Sequence, residues 1–582
     1  MMKTRELDLS CQLKCYGIAV LILVTSSTAG YAQTQDNGSQ SNAILVAEST
    51  FPVSISVNAS QSAGTLKSIW RFFGGDEPNY AYMKDGRKLL GQLGELAPDE
   101  VFFRTHNLLT SGPGYPALKW GSTNVFTNDN LGRPVYNWQL VDLIFDTYRS
   151  QNVRPYVQLG FMPQALSVKP EPYAHQWRPG LPYDEIYTGW AYPPKDYEAW
   201  RELIYQWTSH CVDRYGREEV ESWWWETWNE ANIGYWQGTP EEFYKLHDYA
   251  MAGVLQALPT ARIGGPDVAG DGGNFARDFY RHCLDGVNYA TGQKGTRLDF
   301  VSFHAKGSPQ WQNDHIRMGI SAQLKTIDRG FGIVAEFPQL RNTPIVIGES
   351  DPEGCAACQG DRFSYRNGTM YSSYTAASFA RKHELADKHG INFVGALTWA
   401  FTFEDQPYFA GFRQLASNGI AMPVLNVFRM FSRMPTNRVQ AISSASVPLN
   451  QILEQGVRNQ PDVGVLASRS ERQLAILVWH YHDDDVPGPD ASIALQLAGL
   501  GDTASAISVS HFRIDSRHSN AYDTWRRMGS PVAPNRQQYS ELEQASDLAL
   551  LQPPFNLSID GGSSSLDFTL PSQGVSLLLI DW

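Results

Sequence analysis

The sequence predicts a (β/α)8 TIM barrel, followed by a β-sandwich that a strand from the N-terminal side completes. Three observations carry this. Strand-like and helix-like runs alternate eight times between residues 66 and 432, polar residues gather where the strand-like runs stop, and the alternation ceases near residue 433. Four segments result: 1–32 as a signal peptide, 33–65 as a leader and strand, 66–432 as the barrel, and 433–582 as the sandwich.

The first segment has the order of an export signal. Lys3, Arg5 and Lys14 precede an apolar run from Tyr16 to Val24, then small residues and Gly30-Tyr31-Ala32-Gln33. The run is too short to span a bilayer, so cleavage after Ala32 and an exported protein, periplasmic or secreted, are expected. No other segment approaches transmembrane length. Residues 33–42 read as a flexible leader, and Phe51 to Val57 alternates apolar and polar as a half-buried strand does.

The barrel strands follow in order. Trp70 to Phe73 ends in Gly74-Gly75-Asp76-Glu77-Pro78-Asn79 and leads to a helix from Tyr80 to Leu96; Val101 to Arg104 ends in Thr105-His106-Asn107. An amphipathic helix (Trp138–Gln151) precedes the third strand, Pro155 to Leu159. An insertion rich in Pro, Tyr and Trp covers 161–195, and a helix from Asp196 to Tyr215 leads to the fourth strand. That strand, Trp223-Trp224-Trp225-Glu226-Thr227-Trp228-Asn229-Glu230, is aromatic and brings Asn229 and Glu230 to a rim. Thr239-Pro240-Glu241-Glu242 then has the signals of a helix start. Arg262 to Asp267, Leu298 to Phe303, Pro344 to Gly348 and Phe393 to Thr398 supply strands five to eight, with a helix from Thr369 to His389 before the last. Runs at 474–479, 493–497, 507–514, 566–570 and 575–580 have no regular helices between them, as in a sandwich.

Composition narrows the function. The formal charge of −13 argues against nucleic acid or an anionic membrane surface as the main partner. With 17 Trp, 27 Tyr and 27 Phe, the chain has aromatic faces that suit sugars, although most of these Trp belong in the core. Past the signal, Cys211, Cys283, Cys355 and Cys358 remain. Cys355-Ala-Ala-Cys358 reads as a redox dithiol, half a zinc site or a small disulfide loop. The lack of a second cysteine pair or nearby His cluster, together with export, favours the disulfide. His480-Tyr-His482-Asp-Asp-Asp485 could ligate a metal but reads better as solvated charge in a sandwich loop. Asp271-Gly-Gly is a loop without phosphate-binding spacing, so neither metal nor cofactor is expected.

The chemistry rests on Glu230 after strand four and Glu349 after strand seven. In a closed barrel both face one mouth, where paired carboxyls can divide the work of acid and nucleophile in cleaving a glycosidic bond. A separation of about 5 Å gives retention and a wider one inversion. Asn229 is placed to hydrogen-bond the sugar's 2-hydroxyl.

From about residue 50 to its end the chain resembles glycoside hydrolase family 39, which includes β-xylosidases and α-L-iduronidases. The matching residues are Phe72-Phe73-Gly74-Gly75-Asp76-Glu77-Pro78-Asn79-Tyr80, Phe103-Arg104-Thr105-His106, Glu226-Thr227-Trp228-Asn229-Glu230, Phe303-His304 and Ile347-Gly348-Glu349. The sandwich adds His511-Phe512-Arg513-Ile514-Asp515 and Ser519-Asn520-Ala521-Tyr522. The resemblance implies Glu230 as acid/base and Glu349 as nucleophile, with His106, Asn229 and His304 lining the pocket for the sugar that is removed. The chain departs from it in two places. After Trp399 the family's acidic cluster is shifted, which makes Glu404 a candidate sugar ligand, and Glu349 is followed by the Cys355/Cys358 loop instead of Trp-Asn. His304-Ala-Lys306-Gly307 looks like the iduronidase version of strand six, in which a Lys helps hold a uronate carboxylate. The reading of Lys306 as a cap for a neighbouring loop is placed ahead, because Asp-Glu-Pro-Asn-Tyr resembles the bacterial β-xylosidase branch. The expectation is a retaining, exo-acting β-D-xylosidase acting on oligosaccharides. The alternatives are another glycone (uronoside, α-L-arabinoside or exopolysaccharide) and a non-catalytic carbohydrate-binding protein; homo-oligomerisation stays open.

Overall fold

A computed structural model describes residues 50–582 except 76–77, 113, 115–120, 171–189, 400 and 501–505. The expected signal peptide and leader, Asp76-Glu77 and most of the 161–195 insertion lie outside the described residues.

Eight parallel strands run in chain order: Phe72–Gly75, Val101–Thr105, Val153–Gln158, Trp224–Glu226, Arg262–Val268, Phe300–His304, Ile345–Glu349 and Phe393–Ala396. The edges meet where Ala396 N–H donates to Ile69 O at 2.8 Å, Thr398 N–H to Phe72 O at 2.9 Å and Gly74 N–H to Thr398 O at 3.2 Å. These bonds close the barrel, and a helix follows each strand. Strand four is shorter than expected, ending at Glu226, so Asn229 and Glu230 sit on the irregular stretch beyond it. The helix after it starts as its sequence dictates. Thr239 and Glu242 form a reciprocal capping box, with Pro240 in the first turn.

Ten strands make a second, mixed sheet. Thr50–Thr65 lies inside it, antiparallel to Asn437–Ser443 and parallel to Asp490–Ala498. Its alternation is obeyed: Val53, Ile55 and Val57 are buried with Ile476, Val478, Ile493, Val509 and Ile580 in a separate core. The expectation of strands without intervening helices is corrected here. Leu449–Gln455, Ala521–Arg527 and Arg536–Ser546 are helical, the last opened by an Asn535/Gln538 capping box. The 480–485 run is also not solvated charge. His480 is buried on a strand, buried Asp483 accepts from Tyr481 Oη at 2.7 Å, and Asp484 binds Arg317 of a barrel loop at 2.5 and 2.9 Å.

The barrel helix Thr369–His389 meets the second sheet through Arg381, whose Nη2 reaches both Asp462 oxygens at 2.8 and 3.0 Å. No helix among the described residues is long and apolar enough to cross a membrane.

Ile55 is fully buried in the second core. Ile55→Ala is therefore expected to cost about 2–5 kcal/mol by urea unfolding; a change near zero would mean the N-terminal strand is peripheral.

Candidate active site

At the C-terminal mouth of the barrel, the ends of strands two, four, five, six and seven deliver Arg104, Glu226, Glu230, Asp267, His304, Lys306 and Glu349 to one buried cluster. Arg104 is its centre. It is fully buried, pairs through Nε with Glu226 and through Nη2 with Asp267, and lies 3.5 Å from Glu349 Oε1. The same Nη2 donates to Asn229 Oδ1 at 2.9 Å. Burying one guanidinium is tolerable only because acceptors from three strand ends surround it.

Glu230 and Glu349 face each other. One carboxylate oxygen from each and a ring nitrogen of His304 lie within 4.8 Å of one another. Glu230 takes a left-handed backbone, φ 49°, held by its N–H donating to Asp267 O at 2.9 Å. A non-glycine residue pays for that conformation only where the surroundings enforce it. Gly348 is required next to the nucleophile candidate, since a Cβ there would come within 1.9 Å of Asp267 Oδ1. Gly74 is required by Trp399, whose ring would be 2.5 Å from a Cβ.

His304 bridges the cluster, Nδ1 to Glu230 Oε1 and Nε2 to Asp267 Oδ2, both at 2.8 Å. Burial disfavours its charge, but Asp267 and Glu349 outweigh this and raise its pKa to about 10. Lys306 does not cap a neighbouring loop. Its ammonium pairs with Glu349 Oε2 and sits 3.5 Å from Glu230 Oε1. Burial opposes ionisation of Glu230, yet Lys306 and His304 hold its pKa below the usual carboxylate range. Glu226 goes the other way: burial outweighs Arg104 and lifts it to about 8. Glu230, His304 and Glu349 could offer three ligands to a metal ion, but the Lys306 ammonium already supplies positive charge between the two carboxylates.

The remaining expected residues divide. His106 is buried against Trp399, ring centroids 5.0 Å apart. Trp399 lies beneath Arg104, 5.2 Å from ring centroid to guanidinium carbon. Glu404 is not brought to the carboxylate pair. Its Oε1 accepts the backbone N–H groups of Asp85 and Gly86 at 2.9 and 2.7 Å, at the start of a helix (Lys84–Gly94) whose N-cap, Met83, offers no side-chain cap. Cys355 and Cys358 form a disulfide, while Cys211 and Cys283 are free and buried. Arg104, Glu226, Asp267 and Arg413 were not singled out from sequence. For the first three the detectable signal is charge within, or at the end of, an otherwise apolar strand; Arg413 lies in the loop after strand eight and carries no such signal.

A parallel barrel with two facing carboxylates at its C-terminal mouth is the architecture of a glycoside hydrolase. The comparisons narrow the class. The family model described as "Glycosyl hydrolases family 39" matches residues 53–562, so the chain belongs to glycoside hydrolase family 39. It is 25% identical over 438 residues to a β-xylosidase of Geobacillus stearothermophilus, covering 72% of this chain and 75% of that enzyme. It is also 25% identical over 391 residues to human α-L-iduronidase, covering 61% of this chain and 56% of that one. Among solved structures, a bacterial orthologue of human α-L-iduronidase superposes with a TM-score of 0.72 at 21% identity, over 91% of this chain and 84% of the other.

Two predictions follow from the charge cluster. Arg104→Met leaves buried carboxylates uncompensated and should cost about 3–5 kcal/mol by denaturant unfolding; unchanged stability would contradict the network. The folded pKa of His304, about 10, lies above its unfolded value. Its contribution to stability is therefore full below about pH 6.5 and lost as pH rises through about 10. Imidazole 15N NMR should show both ring nitrogens protonated from about pH 6 to about 9; a midpoint near 6.5 would contradict it.

Proposed function

We propose that the chain is an exported, retaining, exo-acting β-D-xylosidase that removes xylose from the non-reducing end of xylo-oligosaccharides. The observation that carries the retaining reading is the facing of Glu230 and Glu349, with oxygens within 4.8 Å. That approach matches the roughly 5 Å separation used for a covalent intermediate and leaves little room for the extra water that inversion requires. The likeness over 72% of the chain to a β-xylosidase supports the choice of sugar.

In the proposed cycle Glu349 attacks the anomeric carbon as Glu230 protonates the departing glycosidic oxygen. Glu230 then takes a proton from the water that releases the sugar. In the free site Glu230 is held ionised by the ammonium 3.5 Å away and by His304. A sugar seated between the carboxylates expels water and weakens the hold of Lys306, and both changes raise the proton affinity of Glu230 toward that of a general acid. Asn229, its Oδ1 engaged by Arg104, keeps its amide N–H2 for the 2-hydroxyl.

One observation favours a second reading, a uronoside. Lys306 and fully buried Arg413 both act on Glu349, and Arg413 Nε and Nη2 have no hydrogen-bond partner among the described residues. Once Glu230 is protonated, the partly exposed Lys306 ammonium is available to a substrate carboxylate, with Arg413 adding positive field from behind it.

Aryl β-xyloside, α-L-arabinoside, β-glucoside and iduronide, with product stereochemistry followed by NMR, separate the readings. Release of β-xylose before mutarotation is expected. Activity on the iduronide alone would replace xylose by a uronate, and silence on all would sink the exo-glycosidase proposal. Glu349→Gly should lower kcat at least about a thousandfold and regain turnover with azide as the inverted glycosyl azide. Failure of azide to restore turnover would count against Glu349 as nucleophile.

A further inference from the structure

The loop that leaves strand seven connects the nucleophile candidate to a half-buried disulfide. Asp351 pairs with Arg413 Nη1 at 2.7 Å, accepts the Trp399 N–H at 3.0 Å, and accepts the Gly307 N–H through its carbonyl at 2.9 Å. Two residues on, Glu353 O accepts from Arg413 Nη1 at 2.7 Å. Inside the disulfide ring, Ala356 O accepts the Arg413 backbone N–H at 2.9 Å. Arg366 ties the ring a second time. Its Nη1 donates to Cys358 O at 2.8 Å and to Gly411 O at 3.0 Å, and its Nε donates to Glu353 Oε1 at 2.6 Å. The half-buried Cys355–Cys358 ring is thereby fastened at two points to residues 411–413. Arg413 itself is fully buried and acts on both Glu349 and Lys306.

We propose that the Cys355–Cys358 disulfide is a positioning and specificity-determining clamp, which fixes the guanidinium of Arg413 against Asp351, two residues beyond Glu349, and so sets the discrimination between neutral and carboxylate-bearing glycones. The discrimination rests on the glycosidase reading above; the clamp itself is a statement about the fold. Opening the ring releases the four-residue segment that presents Ala356 O, and an untethered segment explores more conformations than a ring-closed one. The Arg413 amide then loses a fixed acceptor and the side chain loses its fixed register against Asp351.

The test compares wild type with Cys355→Ser/Cys358→Ser, and wild type before and after dithiothreitol. In the reduction, two electrons and two protons from the reagent convert the disulfide to two thiols, and the reagent closes to its own cyclic disulfide. Hydrogen exchange in peptides spanning residues 350–358 and 411–415 is read alongside kcat and KM on neutral and carboxylate-bearing aryl glycosides, and Tm. The expected result is exchange at 411–415 faster by about tenfold or more. The ratio of kcat/KM between the two glycone types should move by about fivefold or more, with only a small fall in Tm. A merely structural bond would lower both activities alike and leave the ratio fixed, which overturns the specificity role. Exchange at 411–415 within about twofold of wild type overturns the clamp. Should wild type cleave none of the glycosides, the glycosidase reading and the specificity role fall together, and the exchange result still decides whether the clamp exists.

Discussion

The buried Arg104 guanidinium is the constraint on which the barrel mouth depends. A permanent positive charge is costly to move out of water unless acceptors and counter-charges surround it. Here Glu226 from strand four, Asp267 from strand five and Asn229 beyond strand four supply them, with Glu349 from strand seven close by. The ends of four strands are thereby brought into one geometry. Asp267 then holds His304, and its carbonyl holds the backbone of Glu230 in the left-handed region. The two facing carboxylates are thus positioned by a charge that contacts only one of them.

The same cluster explains how Glu230 stays ionised although Glu349 lies so close. Lys306 and the His304 imidazolium lie between or beside them, while Glu226, deeper and poorer in cations, is pushed up to about 8. Acidic groups within one cavity are driven to different proton affinities by what each touches.

Much of this was legible in the sequence. Asn229-Glu230 and Ile347-Gly348-Glu349 could be placed at strand ends because buried parallel strands read as apolar runs and stop at polar residues. The alternation of Phe51 to Val57 gave the extra sandwich strand, because a strand with one buried face shows period two. Long-range partners were not legible. Glu404 lay near enough in sequence to Trp399 to suggest a sugar ligand, but it turns to the first turn of a helix some 320 residues earlier in the chain, 318 and 319 positions from its two donors. The loop-cap reading of Lys306 rests on the Asp-Glu-Pro-Asn-Tyr signature, and no local pattern shows that the lysine meets Glu349 and Glu230 instead. The helices Ala521–Arg527 and Arg536–Ser546 carry plain N-caps at Asn520 and Asn535, in a stretch between the strand-like runs 507–514 and 566–570 that the sandwich reading leaves without elements.

The central claim is that Glu349 attacks the sugar while Glu230 handles the proton. Its most direct test is to incubate the enzyme with a 2-deoxy-2-fluoro glycoside bearing a good leaving group, which slows release of the intermediate, and to map the labelled peptide by mass spectrometry. The account predicts one stoichiometric adduct, on Glu349. An adduct on Glu230, or on a residue outside the barrel mouth, would contradict it.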